Sequence, residues 1–82
     1  STTIGVVVTD AAVDHRTLAR MTIAAHDGMA RVIRPCHTPF DGDAMFTVGL
    51  RQGPVDLRVI TLLSIATELA VERAILDAVM MR

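Results

Sequence analysis

The chain has 82 residues, enough for one small domain at most. Eight basic residues stand against nine acidic ones, for a formal net charge of −1, which excludes a strongly basic nucleic-acid binder, because phosphate binding rests on clustered Lys and Arg. Apolar residues make up 51% and charged ones 21%, too apolar for a disordered chain, and the longest apolar run falls far short of the roughly 20 residues that a membrane span needs.

The hydrophobic pattern reads strand, helix, loop, strand, loop, helix. Ile4 to Thr9 is a β-branched run, which predicts a strand buried on both faces. Gly5 inside it marks a close backbone approach, and Asp10-Ala11-Ala12 leaves the strand. Asp14 is the expected N-cap of a helix running to about Ile33. Leu18, Met21, Ala25, Met29 and Val32 share one face of it. Ala19, Ala24, Ala25 and Ala30 favour close packing on a neighbour. Arg34 precedes Pro35, so the helix stops there.

Pro35 to Asp43 reads as a loop, Ala44 to Leu50 as a second strand, and Arg51-Gln52-Gly53-Pro54 as a turn. From about Asp56 to Met81 a long helix pattern is apolar on more than one side. Two strands cannot make a stable sheet alone. Two helices on one face would leave the other face bare. The fold class is therefore α/β: a β-α-β-α segment whose sheet is completed by another chain. The apolar excess agrees, since a domain this small buries only about 60–65% of its extended surface.

One Cys permits neither an internal disulfide nor a cysteine zinc cluster. The first residues do not look like a secretion signal, so a reducing cytoplasmic setting is the default. A strand that opens almost at residue 1 reads as the product of processing, and an artificially trimmed chain would look the same.

Three stretches together carry a resemblance. They are Thr2-Thr3-Ile4-Gly5-Val6-Val7-Val8-Thr9-Asp10, Ala25-His26-Asp27-Gly28-Met29-Ala30-Arg31 and His37-Thr38-Pro39-Phe40-Asp41-Gly42-Asp43. In that order and spacing they closely resemble the small, C-terminal subunit of the self-cleaving hydrolases with an N-terminal nucleophile. That family comprises D-aminopeptidases, β-aminopeptidases and nylon-oligomer hydrolases. The resemblance covers residues 2 to about 50; the last helix matches only in kind.

The resemblance implies a precursor that cuts itself once into a large and a small subunit, which stay together in a four-layer α/β/β/α sandwich. Residues 1–82 would be the small catalytic subunit, part of a domain shared with the larger N-terminal subunit, and the pairs would assemble into higher oligomers. The first residue of the small subunit, Ser or Thr, attacks amide bonds. Two polar or acidic residues, two positions apart and about forty residues downstream, support it. Asp41 and Asp43 follow Thr2 by 39 and 41 positions. The acidic pair with a Thr looks closest to the nylon-oligomer hydrolases. No metal or organic cofactor is implied.

The chemistry agrees. A Thr hydroxyl is a poor nucleophile and needs a base. A free α-amine titrates at about 7.7–8.0 and can serve. The β-branch of Thr restricts χ1 and so fixes the hydroxyl. Two carboxylates this close push one another's titration apart, and Gly42 between them permits a sharp turn that a side chain would block. No oxyanion donor is evident, so the large subunit would supply it.

One departure concerns Ser1. The family usually has Asn or Gly before the nucleophile. With Ser1 attached, the Thr2 amine is tied up in a peptide bond. Either Ser1 is the nucleophile, or it is an added residue, or processing differs. The register to Asp41 favours Thr2; the chain start favours Ser1.

Plainer readings exist for each residue. Thr2 and Thr3 are good β-formers at a strand end, and Asp-Gly is ordinary turn chemistry; the spacing to residue 2 reverses that preference. His15, His26 and His37 are 11 residues apart in turn, too wide for a helical ligand pair, so a metal site is the weaker reading. His26 beside Asp27 reads as a buried, hydrogen-bonded residue. His37 either lines the pocket or is structural. Cys36 reads as a partly buried thiol, and the Met and Ala stripes as core or subunit contact.

The leading expectation is an amide-bond hydrolase acting through an acyl-enzyme on small amides or peptides. Alternatives are acyl transfer to an amine, as in the similar ornithine acetyltransferases, and a non-catalytic α/β module that pairs with its own copy.

Overall fold

The computed structural model describes residues 2–34, 36–37 and 42–80. Its elements follow one another as strand β1 (Ile4–Val13), helix α1 (His15–Val32), strand β2 (Ala44–Gln52) and helix α2 (Leu57–Met80). This is the expected β-α-β-α order. β1 and β2 form a two-stranded parallel sheet, with Ile4 opposite Ala44 and Thr9 opposite Gly49.

Capping explains where the helices start. Asp14 Oδ1 accepts the Thr17 N–H at 2.7 Å and also the Thr17 hydroxyl, which satisfies donors left over at a helix N-terminus. Those bonds, the hydroxyl first, hold the Asp14 carboxyl below its ordinary value of 3.8. Asp56 does the same for α2 by accepting the Val59 N–H at 2.9 Å. Both positions agree with the sequence reading.

β1 is longer than its β-branched run predicts. It continues through Asp10-Ala11-Ala12 to Val13. The register slips between Thr9 and Ala12, where β1 holds one residue more than β2, a bulge. There the Ala11 N–H turns to Thr9 Oγ1 at 3.2 Å, so the extra residue does not end the strand.

Both helices lie on one face of the sheet. Ala25 and Met29 of α1, Met45 of β2 and Val71 of α2 form the core, with Val7, Ile33, Cys36 and Ile75 packed against it. The helices approach closely at Gly28, where a Cβ would come within 2.6 Å of the Glu68 carbonyl. Ala24 and Ala25 are buried beside it, whereas Ala19 and Ala30 are exposed. An ion pair from Arg31 to Glu68 joins the same two helices. Thr22 Oγ1 donates to the Leu18 carbonyl, so Thr47 donates to Thr22 across 2.8 Å, tying α1 to β2.

Among the described residues, β1 is covered on one face and bare on the other. Ile4, Val6, Val8, Phe46, Val48 and Leu50 point away from the helices; Ile4 is 67% exposed and Phe46 57%. Along α2, Leu57, Leu62, Ile65, Leu69 and Val79 are also exposed. Among the described residues no helix is long and apolar enough to cross a membrane. Gly5 makes room for a side chain rather than for backbone: a Cβ there would lie 2.7 Å from the Met45 sulfur.

Candidate active site

The parallel register brings together residues that the sequence separates by forty positions. Because Ile4 faces Ala44, the residues just ahead of each strand, Thr2-Thr3 and Gly42-Asp43, lie side by side at the same end of the sheet. The ladder reaches past β1 here, with the Ala44 N–H donating to the Thr3 carbonyl at 2.9 Å. The roughly forty-residue spacing is thus the length of one β-α-β crossover.

Asp43 sits at the centre. Its side chain is 4% exposed. Oδ1 accepts the Thr3 N–H at 3.0 Å, and Oδ2 accepts the His37 N–H at 2.8 Å. His37 Nδ1 lies 3.2 Å from the same Oδ2. A carboxylate offers about four acceptor positions, and these described contacts occupy three of them. Bonds to a charged acceptor are the stronger kind, so this carboxylate is firmly placed.

Gly42 works differently from the sequence expectation. Among the described residues no glycine has a positive φ, so the turn does not call for one. A Cβ at Gly42 would instead lie 3.3 Å from Thr2 Oγ1. The missing side chain leaves room for the Thr2 hydroxyl.

The histidines meet despite their spacing. His26 Nδ1 and His37 Nε2 are 3.1 Å apart, and the ring centroids are 4.7 Å apart, tilted by 58°. The chain leaves α1 at Ile33, which is extended at φ −119° and ψ 118°, and His37 comes back over the helix end. His26 is half-buried rather than buried, and its described partner is His37 rather than Asp27. A helix-spacing rule misses this pair because one ring lies in the loop. Cys36 is half-buried, as expected. Cys36, His37 and Asp43 place possible metal-ligand atoms within 4.8 Å of one another. Both ring nitrogens of His37 already face hydrogen-bond partners, so ligation would break one of those contacts. Ser1 and Asp41, both predicted for this site, lie outside the described residues.

The whole chain, residues 1–82, matches the profile of peptidase family S58. The chain belongs to that family. It is also similar to a protein named as an uncharacterized aminopeptidase in Mycobacterium bovis, with 56% identity over 48 residues. An uncharacterized aminopeptidase of Mycobacterium leprae is 52% identical over the same length. Those 48 residues are 58% of this chain but only 14% and 13% of the two relatives, so the chain spans a small part of the curated relatives it matches. No solved structure matches it. Family membership leaves the residue roles to be argued from the geometry above.

Proposed function

We propose that this chain is the small catalytic subunit of an amide-bond hydrolase of the aminopeptidase kind. The Thr2 hydroxyl attacks the substrate carbonyl with its own α-amine as base. An acyl-enzyme ester forms, the amine product leaves with the proton, and water then releases the acyl group. The Thr2 amine becomes free when a precursor cleaves itself ahead of Thr2, which leaves a small chain beginning at Thr2 and a larger partner.

One observation carries the reading. The Asp43 carboxylate grips the Thr3 N–H at 3.0 Å, next to a hydroxyl for which Gly42 leaves room. A nucleophile on rigid backbone beside a fixed carboxylate meets the geometric need of proton-assisted attack. Asp43 then positions the ammonium or hydroxyl of residue 2, and Asp41 assists it. The peptidase family and the aminopeptidase names of the relatives support this reading. The larger subunit supplies oxyanion donors and pocket walls, and its sheet covers the bare apolar face in a four-layer sandwich. Substrates are short peptides, N-terminal amides or linear amide oligomers.

Intact-mass analysis and N-terminal sequencing of the complete gene product test this. The reading predicts two chains in equal amount, the smaller beginning Thr-Thr-Ile, and an uncut, inactive Thr2→Ala variant. A Thr2→Ala protein that is still cut and still hydrolyses amides contradicts it. A small chain that begins at Ser1, with activity lost in Ser1→Ala, would move the nucleophile to Ser1.

A further inference from the structure

We infer that His37, backed by His26, is a positioning residue for Asp43: the three form a hydrogen-bonded chain with fixed proton positions that holds the carboxylate toward residue 2. The inference rests on the amide-hydrolase reading above and adds two residues to its machinery.

The chain is read atom by atom. An ionised carboxylate only accepts. His37 Nδ1, 3.2 Å from Asp43 Oδ2, therefore carries the hydrogen. In a neutral ring this leaves Nε2 as an acceptor. The atom facing Nε2 at 3.1 Å is His26 Nδ1, so with both rings neutral, as the inference requires, His26 donates from Nδ1. Direction is thus set along the whole row, from His26 to His37 to Asp43. His26 Nε2 is left as its outer end. Each ring is confined to its Nδ1–H tautomer, the less common one for a free histidine.

The backbone points the same way. His37 has φ 57°, the left-handed region. Non-glycine residues seldom sit there, and such outliers concentrate where surrounding contacts hold them for a purpose. Here the twist lets one residue grip Asp43 Oδ2 twice, by its N–H at 2.8 Å and by its ring at 3.2 Å. A residue that only closed a loop would need neither grip. With Thr3 on Oδ1, the carboxylate is clamped from both oxygens, and its orientation follows the ring. Asp27 and Arg31 lie on the same helix as His26, but neither makes a described contact with the three residues.

The test compares His37→Gly with His37→Asn in the complete, assembled enzyme. Gly accepts the left-handed backbone and removes the ring. Asn tolerates that backbone and places an amide N–H where Nδ1 was. The inference predicts that His37→Gly lowers kcat about tenfold or more with KM within about twofold, since small misplacements at a reacting centre are costly in rate. It predicts that His37→Asn recovers most of the loss. Nitrogen-15 NMR of the wild type should show both histidines as Nδ1–H tautomers, a readout that needs no turnover. Wild-type kcat in His37→Gly, a His37→Asn variant no better than His37→Gly, or an Nε2–H or doubly protonated state of either ring would overturn it. Thr2→Ala in the same assay separates the two levels. Activity surviving Thr2→Ala refutes the hydrolase reading, whereas activity lost there but intact in His37→Gly refutes only the role of His37.

Discussion

At the scale of single residues, the site turns on two small facts. Gly42 lacks a Cβ, and Asp43 has lost its freedom to rotate. An Ala at position 42 would place its Cβ 3.3 Å from Thr2 Oγ1, so the hydroxyl must move by a few tenths of an ångström. We expect Gly42→Ala to lower kcat roughly tenfold with little change in Tm, checked by steady-state kinetics beside a thermal melt. Asp43→Asn keeps the size but turns one acceptor into an N–H that faces a donor. It should lower the stability of the assembled protein by about 1–3 kcal/mol and abolish most activity, read by denaturant unfolding and by amide hydrolysis. The sequence made Asp43 and Thr2 legible as a pair because their separation matches one crossover. It hid the His26–His37 contact, because that contact depends on a loop folding back over a helix end, and loop paths leave no periodicity. It also misled on Gly42, where spare volume rather than backbone conformation explains the glycine.

At the scale of elements, the helices were the most legible part, since Asp14 and Asp56 announce their starts with side-chain caps. The Asp14 carboxyl is held below its ordinary value by Thr17, so its folded value lies below its unfolded one. The sign follows: Asp14 adds stability above the ordinary value of 3.8, and this is lost as pH falls through the lower folded value. Asp14→Ala should therefore lower Tm near neutral pH, and the gap should shrink below about pH 4, measured by melts across pH. Gly28 sets the spacing of α1 and α2. Gly28→Ala would drive a Cβ against the Glu68 carbonyl, which is backbone and cannot swing aside. We expect a loss of about 1–3 kcal/mol, read by denaturant unfolding. The strand end was the least legible element. Asp10-Ala11-Ala12 looks like a break, but a bulge with a Thr9 side-chain bond carries β1 on to Val13. No local propensity signals that.

At the scale of the molecule, the chain is an open piece of α/β structure. The sheet has two strands, helices on one face and a row of exposed Ile, Val, Phe and Leu on the other. Exposed apolar patches of this kind are characteristic of interaction surfaces, in keeping with the apolar excess of the composition. Under the proposed assembly, Val6→Lys would put a charge into that junction and so reduce recovery of the two-chain enzyme, as judged by size-exclusion chromatography; unchanged recovery would argue that this face stays in water. The account as a whole rests on the hydroxyl beside Asp43 being the group that takes the acyl chain. The most direct test is to treat the complete enzyme with a slowly released activated ester and map the adduct by peptide mass spectrometry. The account predicts one acyl group, on Thr2, formed at a reduced rate in Asp43→Asn. An adduct on any residue other than Thr2, or no adduct from an enzyme that turns over amides, would contradict it.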